Sequence, residues 1–175
     1  MRLKMGLFFL SITPSAFGKH AFPIEVAWTS LNDNNVESHL IKPPEPWLHP
    51  PWFWSETARE RHGISRERLC AEGIPISEIC NRMNATFRGH TILSDYPGRD
   101  RKLLDLLFLS SGMQQGFELS DALANTARHL ENLGLCAADF WKCFALVAEF
   151  YPSRDRASDD VVWWREFWRT LNRFD

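Results

Sequence analysis

The sequence predicts an α/β fold: a mixed central sheet with an antiparallel meander, flanked by helices. Three observations predict it. A dense apolar run, "LFFLSI" (Leu7 to Ile12), is ended by Pro14 and suits a central buried strand better than a helix. Two further strand-like segments follow at short spacing, and then a series of short helices, each with its own start and stop signals.

Taken in order, Leu7 to Ile12 is the first strand. Pro23 to Thr29 is the second, with Ile24, Val26 and Trp28 on one face. "LNDNN" (Leu31 to Asn35) is a turn-rich connection, and Val36 to Lys42 a third short strand closing the meander. "PPEPWLHPP" (Pro43 to Pro51) reads as a stiff crossover that continues neither helix nor strand, or as a polyproline ligand for an aromatic groove. Ser55 caps a helix closed by Gly63, and Ser65 caps another closed by Gly73. Pro75 opens a third helix, with Ile76, Ile79, Cys80, Met83 and Phe87 on one face and Gly89 after it. Thr91 to Ser94 is a short strand, and the next helix runs from about Asp100 with Leu103, Leu104, Leu107 and Phe108 inward. Helices are expected near 121–130, over 137–150, and from Asp159 to about Phe174, where Asp160, Trp164, Trp168 and Leu171 share a face.

Composition bounds the function. The 175 residues make one domain of ordinary size, with 45% apolar and 24% charged residues, a globular balance. A net charge of −2 carries no global basic field, leaving only local patches for nucleic acid. No apolar run approaches the ~20 residues that span a bilayer. Arg2, Lys4, the apolar run and "TPSA" imitate a secretory leader, but the run is short, and the four cysteines (Cys70, Cys80, Cys136, Cys143) lack disulfide-framework or metal spacing. A strand, buried reduced thiols and a cytoplasmic protein are the expectation.

Two acids stand out by placement. Asp100 opens an amphipathic helix just after a strand, and Asp160 heads an otherwise aromatic stripe, where an unpaired carboxylate would be costly. Capping and the helix dipole, worth ~0.3–1 kcal/mol, would explain either alone. "FFLSITPSAFGKHAFPIEVAW", "HGISRERLCAEGIPISEICNRMN", "TILSDYPGRDRKLLDLLF" and "YPSRDRASDDVVWWREFW" together resemble the DnaQ-like 3′–5′ exonucleases of the DEDDh type. The resemblance spans nearly the whole chain, residues 1–175, and implies a single RNase H-like domain. It also implies two-metal chemistry, with four carboxylates holding Mg²⁺ or Mn²⁺ against the scissile phosphate and a histidine as general base.

Residue by residue the pattern is broken. The first-strand Asp and Glu positions fall on Ser11 and Thr13. The second-motif Asp is Asp100, with Asp95 nearby; the third-motif Asp is Asp160, and the His position falls on Asp155. The resemblance therefore implies catalytic positions at Asp100, Asp160 and Asp155, of which only the first two keep a metal ligand, so that metal binding is expected to be weak or absent. It implies substrate contacts from Ser11, Thr13, Ser15 and Ala16. Metal catalysis supplies several kcal/mol and a general base ~10²–10⁴-fold, so losing both should leave little activity. Three functions remain open: a non-cutting domain that binds a single-stranded 3′ end or a partner, an exonuclease with a rearranged acidic site drawing on Asp95, Asp100, Asp155, Asp159 and Asp160, and a protein-interaction module. Glu25 is expected outside the metal site. Trp47, Trp52, Phe53 and Trp54, beside Arg59, Arg61, Arg66 and Arg68, would stack bases or simply cover the sheet edge. One of Trp163 and Trp164 is expected to be exposed, because helix neighbours point ~100° apart. A homodimer is expected from the resemblance alone.

Overall fold

A computed structural model describes residues 6–49, 53–152 and 154–173. Arg2, Lys4, Trp52 and Phe174 lie outside the described residues. Five strands form one sheet in the order β3-β2-β1-β4-β5. The meander of β1 (Leu7–Pro14), β2 (Pro23–Ser30) and β3 (Glu37–Leu40) is antiparallel, as the sequence predicts. β4 (Thr91–Ser94) pairs parallel to β1, and β5 (Leu119–Asp121) parallel to β4. β5 is not visible in the sequence: three residues are too few to show a period, and its place is set by the crossover through the helix before it.

The helices follow their caps closely. α2 (Glu56–His62) is capped by Ser55, whose side chain accepts from the Ala58 N–H, and ends on Gly63 at a positive φ that only glycine adopts freely. α3 (Arg66–Glu72) starts on Ser65 and ends at Gly73. α4 (Ile76–Phe87) buries Ile79, Cys80, Met83 and Phe87. α5 (Pro97–Ser111) begins three residues before the expected Asp100, because Pro97 is well suited to a first turn. α6 (Ala122–Leu133), α7 (Ala137–Phe150) and α8 (Ala157–Leu171) complete the chain. The proline-rich segment holds a single helical turn, α1 (Glu45–Leu48), where no regular element was expected. Trp47 is buried in it, and Phe53 and Trp54 pack on the same core, so these rings cover the fold and are not free stacking platforms.

Two cores lie on opposite faces of the sheet. Leu10, Ile12, Val26 and Trp28 meet α3, α4 and α5, while Phe9, Ala27 and Leu93 meet α6, α7 and α8. The expectation that one of Trp163 and Trp164 is exposed is wrong: they are 2% and 5% exposed. Helix α8 lies between the sheet and α7, so two of its faces are inside. Cys80 and Cys143 are buried, but Cys70 and Cys136 are exposed, correcting the expectation for that pair; all four are free thiols.

Candidate functional site: an acidic cleft held by arginines

Side-chain alternation sends Phe9, Ser11 and Thr13 to the face of β1 that α8 covers. Beyond Phe9 the apolar contacts end and polar ones begin. The carboxyl ends of β1 and β4, adjacent and parallel, open onto a cleft of about 460 Å³. Ligands in α/β sheets commonly sit at such a place. Ser11, Thr13, Asp155 and Asp160 line it, together with Arg61, Arg99, Arg154 and Arg156. Ser15 and Ala16 do not. The Ser15 hydroxyl is spent inside the fold, donating to the Phe53 carbonyl at 2.6 Å and accepting from the Phe22 N–H at 3.0 Å, and Phe17 reaches the cleft in their stead.

Each buried acid has a cation against it. Asp100 is fully buried; it accepts from the Ser94 hydroxyl at 2.7 Å and from Arg99 Nε at 2.9 Å. Arg154 reaches both Asp160 and Asp95, with its Nε 2.6 Å from Asp160 Oδ1, and its guanidinium lies over the Trp163 ring at 4.5 Å. The Ser11 hydroxyl lines the same cleft beside Asp160 and favours its charged form. Asp155 lines the cleft and pairs with Arg61 at 2.6 Å. Among the described residues no group of three or more His, Cys, Asp or Glu side chains is arranged to hold a metal ion.

Glu25 does not line the cleft but lies buried behind it, supporting its wall. It is the cross-strand partner of Thr13 and is fully buried. Its carboxylate accepts from the Thr13 hydroxyl at 2.8 Å, Ser38 at 2.9 Å, the Ala157 N–H at 3.1 Å and Arg156 at 2.6 Å. Thr13 in turn accepts from the Ala157 N–H at 2.8 Å, so this cluster fixes the first turn of α8, and with it Asp160. Arg99, Arg154 and Arg156 are the cleft residues that the sequence reading missed. A signal existed in the twin Arg-Asp-Arg triplets of "PGRDRKL" and "PSRDRAS". In the first triplet the Asp points inward; in the second both arginines do.

Burial pushes the Asp100 carboxyl up to about 6, against the Arg99 charge. Burial, and then the neighbouring Asp95, push Asp160 up to about 6 as well. Both carboxyls therefore take up protons only about one unit below neutrality. An acid that binds its proton more tightly folded than unfolded contributes stability below the unfolded pKa, near 3.8, that is lost as pH rises through about 6. His62, held below its usual value mainly by burial, works in the opposite sense. Comparison with Asp100→Asn separates the two: urea midpoints should show the variant losing less stability than wild type between pH 4 and pH 7. Equal pH profiles would refute the raised Asp100 value.

No protein-family model matches the sequence, and no curated protein matches it. Solved structures do match. Exonuclease I of E. coli in complex with a dT13 oligonucleotide superposes with a TM-score of 0.56 at 16% identity, covering 73% of this chain and 30% of that one. The chain shares the fold of the part of exonuclease I that it matches. An apo structure of exonuclease I gives 0.57 at 16% identity over 74% of this chain and 31% of that one, and exonuclease I from Methylocaldum szegediense 0.55 at 15% over 69% and 28%. This chain thus spans less than a third of the length of the exonuclease I structures it matches.

Proposed function

We propose that this chain is a non-cutting exonuclease-like domain, one unit over residues 1–175, whose cleft holds the 3′ end of a single-stranded nucleic acid without degrading it. The observation that carries the reading is the Arg154 guanidinium lying between Asp95 and Asp160, with Arg99 against Asp100. The donor set does not fit Mg²⁺ or Mn²⁺. Such ions need an oxygen-rich anionic cage, whereas Ser11 and Thr13 offer neutral hydroxyls, the latter already donating to Glu25, and each remaining acid faces a cation that repels a second one. We read the arginines as the permanent counter-charges of a site that metal ions would otherwise neutralise.

Binding needs no metal. Arg61, Arg99, Arg154 and Arg156 line the cleft and offer guanidinium N–H groups to phosphates, each in exchange for the carboxylate it now holds. Phe17 and Tyr96, 62% and 58% exposed, stand on its rim, with Arg61 and Arg99 over their rings. Aromatics so placed stack bases at ~1–3 kcal/mol each.

The test combines two assays. Labelled short single strands of DNA and RNA should bind, more weakly as salt rises, and Phe17→Ala plus Tyr96→Ala should weaken binding at least about tenfold. The same strands with Mg²⁺ or Mn²⁺ should stay intact with wild type, as with Asp100→Asn plus Asp160→Asn. Trimming by wild type alone would establish an exonuclease with a rearranged acidic site. Neither binding nor trimming would leave a protein-interaction module.

A further inference from the structure

We propose that His62 is a phosphate-binding residue of the cleft, its Nε2–H donated to a phosphate oxygen of the strand bound there. The inference rests on the nucleic-acid-binding reading above and adds one side chain to it. His62 is the last residue of α2, and Ala58 and His62, one turn apart, are the buried residues of that helix. Both line the cleft, together with Thr13, Pro14 and Arg156.

The imidazole is fixed by two neighbours. Its Nδ1 accepts from the Ile64 N–H at 3.1 Å, and the Trp54 ring crosses it at 82° with the centroids 6.1 Å apart. Burial holds the pKa of His62 down and so keeps the ring neutral. In a neutral imidazole the nitrogen that accepts carries no proton, so the proton is on Nε2. That nitrogen is buried without a hydrogen-bond partner among the described residues, in a side chain only 5% exposed. A buried donor left unpaired is costly, and this one calls for a partner that the chain does not supply.

The arginines of the cleft are in a different position. Arg61, Arg99, Arg154 and Arg156 each hold a carboxylate, and the Thr13 hydroxyl is given to Glu25. A phosphate must displace a carboxylate to take a guanidinium, but it takes the His62 N–H without exchange. The lone pair that could ligate a cation or act as a base is on Nδ1 and is spent on Ile64, so His62 offers a proton to an acceptor and nothing else. Arg61, its neighbour in the chain, lines the same cleft. A phosphate, with several acceptor oxygens, can take both donors at once, and a hydrogen bond to an anion is stronger than one to a neutral carbonyl.

The variant His62→Asn separates binding from folding. Asparagine keeps a side-chain oxygen that can accept from the N–H two residues on, but it has no N–H with the reach of Nε2. Its urea midpoint should stay near that of wild type, while its affinity for a labelled short single strand should fall about tenfold, the weight of one hydrogen bond to a charged group. NMR of the imidazole nitrogens of wild type gives a readout that needs no variant. The free protein should show the neutral Nε2–H form at neutral pH, and titration with the same strand should move that resonance. Equal affinity of a folded His62→Asn, a proton found on Nδ1, or an Nε2–H resonance that the strand leaves in place would overturn the role of His62 and leave the cleft a binding site. A wild type that binds no strand would overturn both.

Discussion

Replacing Arg154 with alanine should destabilise the fold by about 3 kcal/mol, near the lower end of what breaking a buried ion pair costs. Arg154 is the shared counter-charge of Asp95 and Asp160, whose side chains are 6% and 9% exposed. Asp95 Oδ1 is already buried without a hydrogen-bond partner among the described residues, so little else can absorb the exposed charge. Removing the guanidinium also uncovers Trp163 and Trp164, over which it lies at 4.5 and 5.8 Å. The loss should be larger at pH 8 than at pH 5, since Asp160 takes up a proton near 6 and a protonated Asp160 needs no counter-ion. The informative arm is divalent metal. If Arg154 stands where a cation would neutralise these acids, millimolar Mn²⁺ should leave the melting temperature of wild type unchanged and raise that of Arg154→Ala. Stabilisation of wild type by Mn²⁺ to the same extent would show that the arginine and the ion do not compete, and would sink the counter-charge reading.

The sequence is most legible where one local rule decides the outcome. The β1 run, the Ser55–Gly63 and Ser65–Gly73 helix limits and the full extent of α7 follow from apolar periodicity and caps alone. Elements ruled by tertiary context were missed. β5 exists because β4 offers it a parallel edge, and Trp163 is buried because α7 covers α8 from behind, whereas periodicity assumes a helix with one buried face. The site divides along the same line. Asp100 and Asp160 were visible because each breaks an apolar stripe at a helix start. Their partners were not, because the pairs are remote in sequence: Arg154 meets Asp95 across 59 residues, and Arg156 meets Glu25 across 131. An arginine in a polar loop looks the same in a sequence whether it faces water or a buried carboxylate.

That distinction decides whether the broken motif can be repaired by writing its residues back. The variant Ser11→Asp plus Thr13→Glu writes into β1 the Asp-x-Glu pattern that the resemblance implies, yet on the reading proposed above it should not confer trimming, and it should fold less stably by about 3 kcal/mol. Thr13 lies directly across the strand pair from Glu25, so a glutamate there sets two carboxylates face to face in a buried position, where like charges destabilise. It also removes the hydroxyl that donates to Glu25 and accepts from the Ala157 N–H, the pair of bonds that seats the first turn of α8. The carboxylate introduced by Ser11→Asp would join Asp160 and Asp95 around Arg154, adding a charge to a group already short of cations. Denaturant midpoints and a Mn²⁺-dependent trimming assay measure both effects. Trimming by this variant with Arg154 in place would show that the arginine gives way to metal, and that Ser11 and Thr13 alone separate the chain from an active exonuclease. Without trimming, activity lies behind a second barrier, the arginine counter-charges that occupy the site, and recovering it requires removing Arg154 together with the two first-strand changes.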